Sequence, residues 1–266
     1  MTDKTKADWQ AAAQALKIDG RAFINGRSVN ALSGETRPTF SPADGREIAQ
    51  VAYCGIEDAE LAIASARAAF ESGVWSGMAP SDRKMIMVRW AELIEQHQDE
   101  LALLECLDVG KPIDNTLNID VGAAVRTIRW SGEAIDKVYD EIPPTPASSL
   151  ALVQRLPLGV VAAIVPWNFP LSTTAWKLAP ALATGNSVIL KPATNTPLTA
   201  LRIAQLAAEA GLPDGVLHVL PGSGGSLGKH LATHMDIDGL TFTGFAFAAS
   251  RNHEYIPAKC EAAAPE

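Results

Sequence analysis

Residues 151–192 read ALVQRLPLGVVAAIVPWNFPLSTTAWKLAPALATGNSVILKP, and this stretch decides the fold. Its first part, 151–165, ends in an apolar run and is predicted to be a strand. A turn bracketed by two prolines follows, and then a helical pattern that ends at Gly185. The next run, NSVILKP (186–192), is typical of a second buried strand. Strand, helix and strand in this order predict a βαβ unit with two parallel strands.

The same alternation continues to the glycine at position 244. A helix is predicted at 196–211, because Pro197 stands at its start and Gly211 at its end. The segments after it are a strand at 215–222, a helix at 224–234 and a strand at 237–244. The sequence therefore predicts an α/β fold, a Rossmann-like parallel sheet with flanking helices.

Two β-hairpins are predicted before this region. Asn25-Gly26 lies between short apolar arms, which is typical of a type I′ turn, and Asp44-Gly45 repeats the pattern. Three helical segments come next: 57–72 before Gly73, a segment that Ser81 caps and Gly110 ends with a break near Asp99, and 118–138. The Pro/Ser-rich stretch EIPPTPASS (141–149) is the best candidate for a linker.

Composition narrows the class of protein. The chain has 266 residues, is 47% hydrophobic and carries a formal net charge of -8, which argues against a nucleic-acid or anionic-membrane partner. The longest apolar run, near Val160, is far shorter than the ~20 residues of a membrane span. The three cysteines, Cys54, Cys106 and Cys260, form no CxxC pair. We expect a cytoplasmic protein without disulfide bonds.

Unusual residues follow three successive predicted strands. Trp167 and Asn168 follow the first, Lys191 closes the second, and a glycine-rich loop at 222–228 follows the third. Ligands of open parallel sheets bind at the carboxyl ends of the strands. A nucleotide site at this edge is therefore the leading hypothesis.

The glycine-rich loop PGSGGSLGKH (221–230) departs from two known phosphate-binding patterns. Ser223 and His230 exclude a Walker A loop, and Leu227 excludes a Rossmann GxGxxG. Gly224 and Gly228 remain, leading into a helix, where their backbone can approach a cofactor closely. The alternative is a tight strand-to-helix turn without a ligand.

Lys191 and Asn168 each have a functional and a structural interpretation. Lys191 suits ribose hydroxyls or a phosphate, or it is a lysine at the sheet edge that extends to solvent. The neutral amide of Asn168 suits an oxyanion, and its flanking prolines hold it in place, or the residue caps the next helix.

Two weaker candidates are His230 and His234, whose i, i+4 spacing suits a metal. No HExxH motif accompanies them and the sequence indicates no third ligand, so we expect a solvated helix face and assign no metal site. Cys106 lies in an apolar helical context, where we expect it to pack.

Several separated motifs resemble the aldehyde dehydrogenase superfamily. They are PWNFP (166–170), LAPALATGNSVILKP (178–192), TPLTALRIAQLAAEAGLPDGVLHVLPGSG (196–224) and FTG (242–244), with INGRSV (24–29), SPADGREIA (41–49) and LDVGKP (107–112) upstream. The resemblance covers roughly residues 20–244 and is specific, because the motifs agree in order and spacing. It leaves 1–19 as an N-terminal tail and 245–266 as a tail that we expect to be disordered. A further likeness points to the branch that acts on amino- or guanidino-substituted butyraldehydes.

The resemblance implies a chemistry and a set of site residues. In that family a cysteine thiolate attacks an aldehyde, a hydride passes to NAD(P)+, and a glutamate activates the water that releases the acid. Asn168 is implied to be the side-chain oxyanion donor, and Lys191 to bind the adenosine ribose. The residues assigned to the cofactor are Ile164, Pro166, Trp167, Lys191, Thr194, Gly224, Gly228, Phe242 and Gly244. The implied partner is a small-molecule aldehyde.

This sequence departs from the family pattern at two places. NAD-preferring members carry a Glu three residues after the lysine, where this chain has Thr194, so the choice between NAD and NADP stays open. After Gly244 the chain has Phe245 in place of the family's Ser, and no motif resembling ELGGK or GQxC follows. We therefore expect a frameshifted or truncated fragment that lacks the catalytic domain, its Cys and Glu, and the C-terminal arm of a homo-oligomeric family. The alternatives are a non-catalytic nucleotide-binding subunit, or a mis-called gene of an intact enzyme.

Overall fold

The largest element of the protein is a six-stranded sheet covered by helices. The structure, a computed structural model, describes residues 4–244. The helices are α1 (Lys6–Ala15), α2 (Ile56–Glu71), α3 (Pro80–Gln96), α4 (Gln98–Val109), α5 (Ile113–Asn115), α6 (Gly122–Ala134), α7 (Pro170–Ala183), α8 (Leu198–Ala210) and α9 (Lys229–Thr233), with π-helical segments at Thr116–Val121 and Gly224–Gly228. The strands are β1 (Ala22–Ile24), β2 (Arg27–Val29), β3 (Thr36–Phe40), β4 (Glu47–Ala52), β5 (Val160–Ile164), β6 (Ser187–Lys191), β7 (Leu217–Val219) and β8 (Gly239–Phe242).

The strand order of the main sheet is β2-β1-β7-β6-β5-β8, and β3 pairs with β4 in a separate hairpin. The last four strands in the chain run parallel, as β5 pairs with β6 and β8, and β6 with β7. From β5 the chain builds outward through β6 to β7 and then returns to β8 on the other side of β5. This reversal beside β5 is the point at which such sheets bind ligands. The predicted Rossmann-like parallel sheet with flanking helices is confirmed.

The inner strands are apolar throughout because helices cover both faces of the sheet. Along β5 and β6, neighbouring residues belong to different cores. Ala162 and Ile189 pack in the cluster that contains α2 and α9 residues. Ala163 and Leu190 pack in the larger cluster with α3, α4, α6, α7 and α8. Alternation across a strand thus explains why the runs in β5 and β6 show no polar face.

Both predicted hairpins form, and their turns differ. Asn25 (φ 51°) and Gly26 (φ 76°) are both left-handed, as a type I′ turn requires. The second turn is longer. Only Gly45 (φ 71°) is left-handed there, and the loop closes through Gly45 N–H to Ser41 O at 2.8 Å. Asp44-Gly45 is therefore part of a wider turn and not a second type I′ pair.

The helical segments differ from the predictions mainly at their ends. Ser81 does not cap α3, which begins one residue earlier at Pro80, a residue that needs no hydrogen-bond donor in the first turn. The break before α4, predicted near Asp99, lies at His97. The third predicted segment, 118–138, begins earlier, contains π-helix and ends as α-helix at Ala134.

A helix occupies part of the predicted N-terminal tail, residues 1–19. Thr5 and Asp8 form a reciprocal capping box at the start of α1, and Trp9 is buried. The T-x-x-D spacing was the available signal for this helix. Within residues 4–244, no helix combines the length and apolar character that a bilayer crossing requires.

The predicted strand at 151–165 is correct only in its last third. β5 begins at Val160, and the residues before it form one isolated bridge, between Glu141 and Val153. Leu152 and Leu156 are exposed. The segment lies outside the sheet, and its run toward β5 contains Pro157, which has no N–H for a strand ladder.

Gly132 in α6 allows a close approach between α3 and α6. A Cβ atom at this position would lie 2.8 Å from the Met87 Cβ and 3.5 Å from the Val88 nitrogen. Gly122, in the same helix, faces only the Nη1 atom of the flexible Arg126 side chain at 3.1 Å. Gly122 is therefore a suitable control position for a substitution at Gly132.

We predict that Gly132→Ala lowers the free energy of unfolding by about 1–3 kcal/mol, because the helices must separate. Gly122→Ala is expected to raise it by up to ~1 kcal/mol, since alanine favours helix more than glycine does. Urea unfolding followed by circular dichroism measures both. Equal effects of the two substitutions would contradict the close packing at Gly132.

Candidate functional site

Three of the residues assigned to the site lie side by side at the carboxyl edge of the sheet. In the strand register, Ile164 of β5 stands opposite Lys191 of β6 and Phe242 of β8. The Val165 N–H donates to Lys191 O at 3.2 Å, and the Thr243 N–H donates to Ile164 O at 3.0 Å. These bonds extend the pairing to the last residue of each strand and fix a continuous rim.

The glycine-rich loop turns back over this rim. A Cβ atom on Gly228 would lie 3.5 Å from Lys191 Cδ and 3.8 Å from Ile164 Cδ1, so the π-helical segment passes directly over both residues. Gly224 has open space where a Cβ atom would be. Ser223 Oγ holds the bend by accepting the N–H groups of Gly225 (3.2 Å) and Ser226 (3.4 Å).

The glycines of this bend are not needed for its backbone conformation. Gly224 and Gly228 are absent from the left-handed residues of the described chain, and Gly228 has φ -63°. A tight turn alone would not demand glycine here. The small residues instead keep the backbone close to the strand ends at Gly228 and leave space at Gly224, which favours the ligand-binding interpretation over the plain turn.

Lys191 is buried, with 3% of its surface exposed. Its Nζ donates to the carbonyl of Pro192 at 2.7 Å, and within residues 4–244 no carboxylate forms an ion pair with it. Desolvation lowers the pKa of the ammonium group to about 8. β6 lies between β5 and β7, so the interpretation as an edge lysine extending to solvent is wrong. A buried cation without a counter-charge is costly and gains from a polar ligand.

The turn after β5 presents Asn168 outward. Asn168 is exposed, and its amide has no hydrogen-bond partner in the part of the chain that the structure describes. The capping interpretation fails, because Phe169 is the N-cap of α7, with Pro170 behind it and no side-chain cap bond. Trp167 is 46% exposed and Pro166 is half-buried. The amide is therefore available to bind a ligand.

A partly buried network of side chains supports this turn. Lys111 Nζ lies 3.6 Å from the centroid of the Phe169 ring and 2.9 Å from Asp120 Oδ2. Asp120 Oδ1 accepts the Ser172 hydroxyl in the first turn of α7 at 3.3 Å. The lysine thus joins the π-helical segment before α6 to the residue that follows Asn168.

Two carboxyl groups on α4 anchor the N-termini of α7 and α8. Glu105 accepts the Leu171 N–H at 3.3 Å and the Thr199 hydroxyl at 2.9 Å. Asp108 accepts the Leu198 N–H at 3.0 Å. Desolvation raises the pKa of Glu105 to about 8 and that of Asp108 to about 7. Neither residue was predicted from the sequence, although two acids inside an apolar helical run were a signal.

The remaining assigned residues also lie around the rim. Thr194 donates its hydroxyl to Gly222 O at 3.0 Å and so joins the loop after β6 to the start of the bend. The Phe242 ring lies against Gly244, where a Cβ atom would come within 2.5 Å of Cζ. No assigned site residue therefore lies away from this edge of the sheet.

The described cysteines do not resemble nucleophiles. Cys54 is buried, and desolvation, followed by the charge of Asp58, raises the pKa of its thiol. Cys106 is half-buried in α4, and burial raises the pKa of its thiol as well. A raised pKa keeps a thiol protonated and unreactive. Cys260 lies outside the described residues.

The histidine pair differs from the expectation of a solvated face without a third ligand. His230 Nε2 lies 2.6 Å from Glu60 Oε1, and His234 Nε2 lies 3.4 Å from the same oxygen. Glu60 belongs to α2, far away in the sequence, and local spacing could not reveal it.

A model of the aldehyde dehydrogenase family matches residues 29–256, which extends past Gly244. The NADP/NAD-dependent aldehyde dehydrogenase PuuC of Escherichia coli (strain K12) is 51% identical over 238 residues, which are 90% of this chain and 48% of that relative. The aldehyde dehydrogenase KauB from Pseudomonas aeruginosa superposes with a TM-score of 0.94 at 58% identity, over 96% of this chain and 52% of that chain.

A second similar structure contains a bound cofactor. The indole-3-acetaldehyde dehydrogenase AldA of P. syringae, in complex with NAD+ and IAA, superposes with a TM-score of 0.94 at 57% identity. The superposition covers 96% of this chain and 52% of that chain. The chain therefore spans about half the length of the proteins it matches.

The raised pKa of Glu105 gives stability a pH dependence of known sign. Between pH 4.5, the ordinary pKa of this side chain, and about pH 8, Glu105 keeps a proton in the folded protein that it has released in the unfolded chain. The free energy of unfolding therefore falls as pH rises through this window. We predict that Glu105→Gln, which cannot ionise, becomes progressively more stable relative to wild type from about pH 5 to 8.

Urea unfolding at a series of pH values measures this difference. Glu92→Gln, at an exposed position of α3, is the matched control and is expected to run parallel to wild type. A Glu105→Gln curve that also stays parallel to wild type would contradict the burial of an ionisable Glu105.

Proposed function

The chain belongs to the aldehyde dehydrogenase family, and we propose that it supplies the NAD(P)-binding part of an enzyme that oxidises an aldehyde to a carboxylic acid. The observation that carries the proposal is Lys191, a buried cation beneath the glycine bend that pairs with no carboxylate of the described residues. A dinucleotide provides ribose hydroxyls and phosphates, which are the groups that such a cation binds.

The cofactor is proposed to lie along the rim formed by β6, β5 and β8. Lys191 binds the adenosine ribose, and the bend from Gly224 to Gly228 packs near the adenine and pyrophosphate. Ile164, Pro166, Trp167, Phe242 and Gly244 line the path from there toward Asn168. When bound, NAD(P)+ serves as the hydride acceptor of the oxidation.

Asn168 is proposed to stabilise the oxyanion that forms when a thiolate adds to the aldehyde. An amide suits this role, because it donates hydrogen bonds and stays neutral at every relevant pH. Pro166 and Pro170 restrict its backbone, and the Lys111–Phe169 contact supports the turn. Neither Cys54 nor Cys106 suits the attacking thiol, so we propose that the thiol and the general base lie outside residues 4–244.

Cofactor binding is measured by titration calorimetry of the full chain with NAD+ and NADP+. We predict that Lys191→Met weakens binding of both at least tenfold, about 1.4 kcal/mol, through loss of charge-assisted hydrogen bonds. Lys17→Met, at an exposed position, is the control and is expected to bind like wild type.

Two results would contradict the proposal. One is the absence of binding heat with either cofactor in a folded wild-type chain. The other is aldehyde-dependent NADH production by a Cys260→Ser chain alone that Asn168→Ala abolishes, because it would place a working thiol within residues 4–244.

Thr194 is proposed to leave room for both cofactors, since a neutral side chain does not repel a 2′-phosphate. The name of PuuC, an NADP/NAD-dependent relative, supports this dual use. We predict that Thr194→Glu weakens NADP+ binding at least tenfold by charge repulsion and leaves NAD+ binding at or above the wild-type level. Thr194→Gln, of similar shape without charge, separates repulsion from crowding. Equal losses for both cofactors in Thr194→Glu would contradict the assignment of this position.

A further inference from the structure

Glu60, His230 and His234 form a cluster on the surface between α2 and α9. Their ligand atoms all lie within 4.8 Å of one another. The two histidine rings stand edge to face, with centroids 5.3 Å apart. We propose that this cluster is a binding site for a divalent transition metal ion, with Zn²⁺ as the best match. The proposal is independent of the cofactor site.

The donor set supports a transition metal over magnesium or calcium. Two imidazoles and one carboxylate are ligands of zinc, whereas magnesium and calcium prefer sites made of oxygen atoms. Three protein ligands leave a fourth, tetrahedral position for water. His230 lies in α9 and His234 is the C-cap of that helix, both half-buried, and the 51% exposed Glu60 side chain leaves a path for the ion to enter.

Small movements convert the cluster into a metal site. The 2.6 Å contact between Glu60 Oε1 and His230 Nε2 is a hydrogen bond, so a proton lies where the ion would bind. Ligand bonds of about 2.0–2.2 Å require Glu60 Oε1 and His230 Nε2 to separate by roughly another 0.5–1 Å. The exposed Glu60 side chain can make this change while both helix backbones stay in place.

One existing hydrogen bond of His234 opposes zinc binding, and its loss would report that zinc has bound. His234 Nδ1 accepts the Asp236 N–H at 3.1 Å, so the neutral ring carries its proton on Nε2. A metal at Nε2 moves that proton to Nδ1, where it faces the Asp236 N–H. Zinc binding is therefore expected to break this bond and shift the Asp236 amide resonance.

The site would link α2 to the cofactor loop. α9 continues directly from the glycine bend, and α2 packs against the same face of the sheet. A metal held by both helices fixes the far end of the bend without contacting the residues proposed for the cofactor.

The test is calorimetric titration of the full chain with Zn²⁺ in a background where Cys106 and Cys260 are serine. We expect one equivalent of Zn²⁺ to bind, to be released by EDTA, and to be lost in Glu60→Gln and His230→Gln. The latter keeps a hydrogen-bond donor for Glu60 and removes only the imidazole. His97→Gln is the matched control, because His97 pairs with Glu100 at 2.7 Å without a second histidine.

The results separate a metal site from a simple ion pair. Unchanged stoichiometric binding in His230→Gln and Glu60→Gln, or no such binding by wild type, would overturn the proposal. Circular dichroism of each variant checks folding, and His234→Gln provides an independent loss if one of the others fails to fold. Absorption of the Co²⁺ form then reports whether the coordination is tetrahedral, as proposed.

Discussion

The parallel pairing of β5 on both of its edges is the constraint on which the rest of the site depends. It brings the ends of β6, β5 and β8 to one rim and sets Lys191, Ile164 and Phe242 in a single row. The bend after β7 must then cross from one side of β5 to the other, and this crossing carries its glycines over the row. The location of the site follows from topology, and its chemistry follows from the residues at the ends of the strands.

Buried polar groups convert this topology into a defined geometry. Helices α7 and α8 begin close to the rim, and each begins on a carboxyl group contributed by α4. The first turn of α7 also binds Asp120, which Lys111 neutralises at 2.9 Å. Removing one partner from such a network leaves a buried group unsatisfied, and this cost stabilises the start of α7 beside Asn168.

Much of the fold could be predicted from the sequence, because hydrophobic periodicity and glycine or proline ends are local signals. They located β5, β6, β8 and the helices between them, and the rim residues followed from the strand ends. Local patterns gave wrong or missing predictions where residues distant in the sequence determine the environment of a side chain. The leucines at 152, 156 and 158 are exposed outside the sheet, and the hydrogen-bond partners of buried Glu105, Leu171 and Thr199, lie far from it in the sequence. Glu60 meets His230 across 170 residues, a distance that no short motif spans.

The π-helical segment Thr116–Val121 has a consequence for how this family of sequences can change. A π-turn holds one residue more than an α-turn, and each helical residue rotates the chain by about 100°. Deleting one residue here would restore regular winding and swing Asp120 away from Lys111 and Ser172. The orientation of the Asn168 turn thus depends on the number of residues in a helical segment distant in the sequence. An insertion or deletion in that segment changes the site although no site residue is replaced.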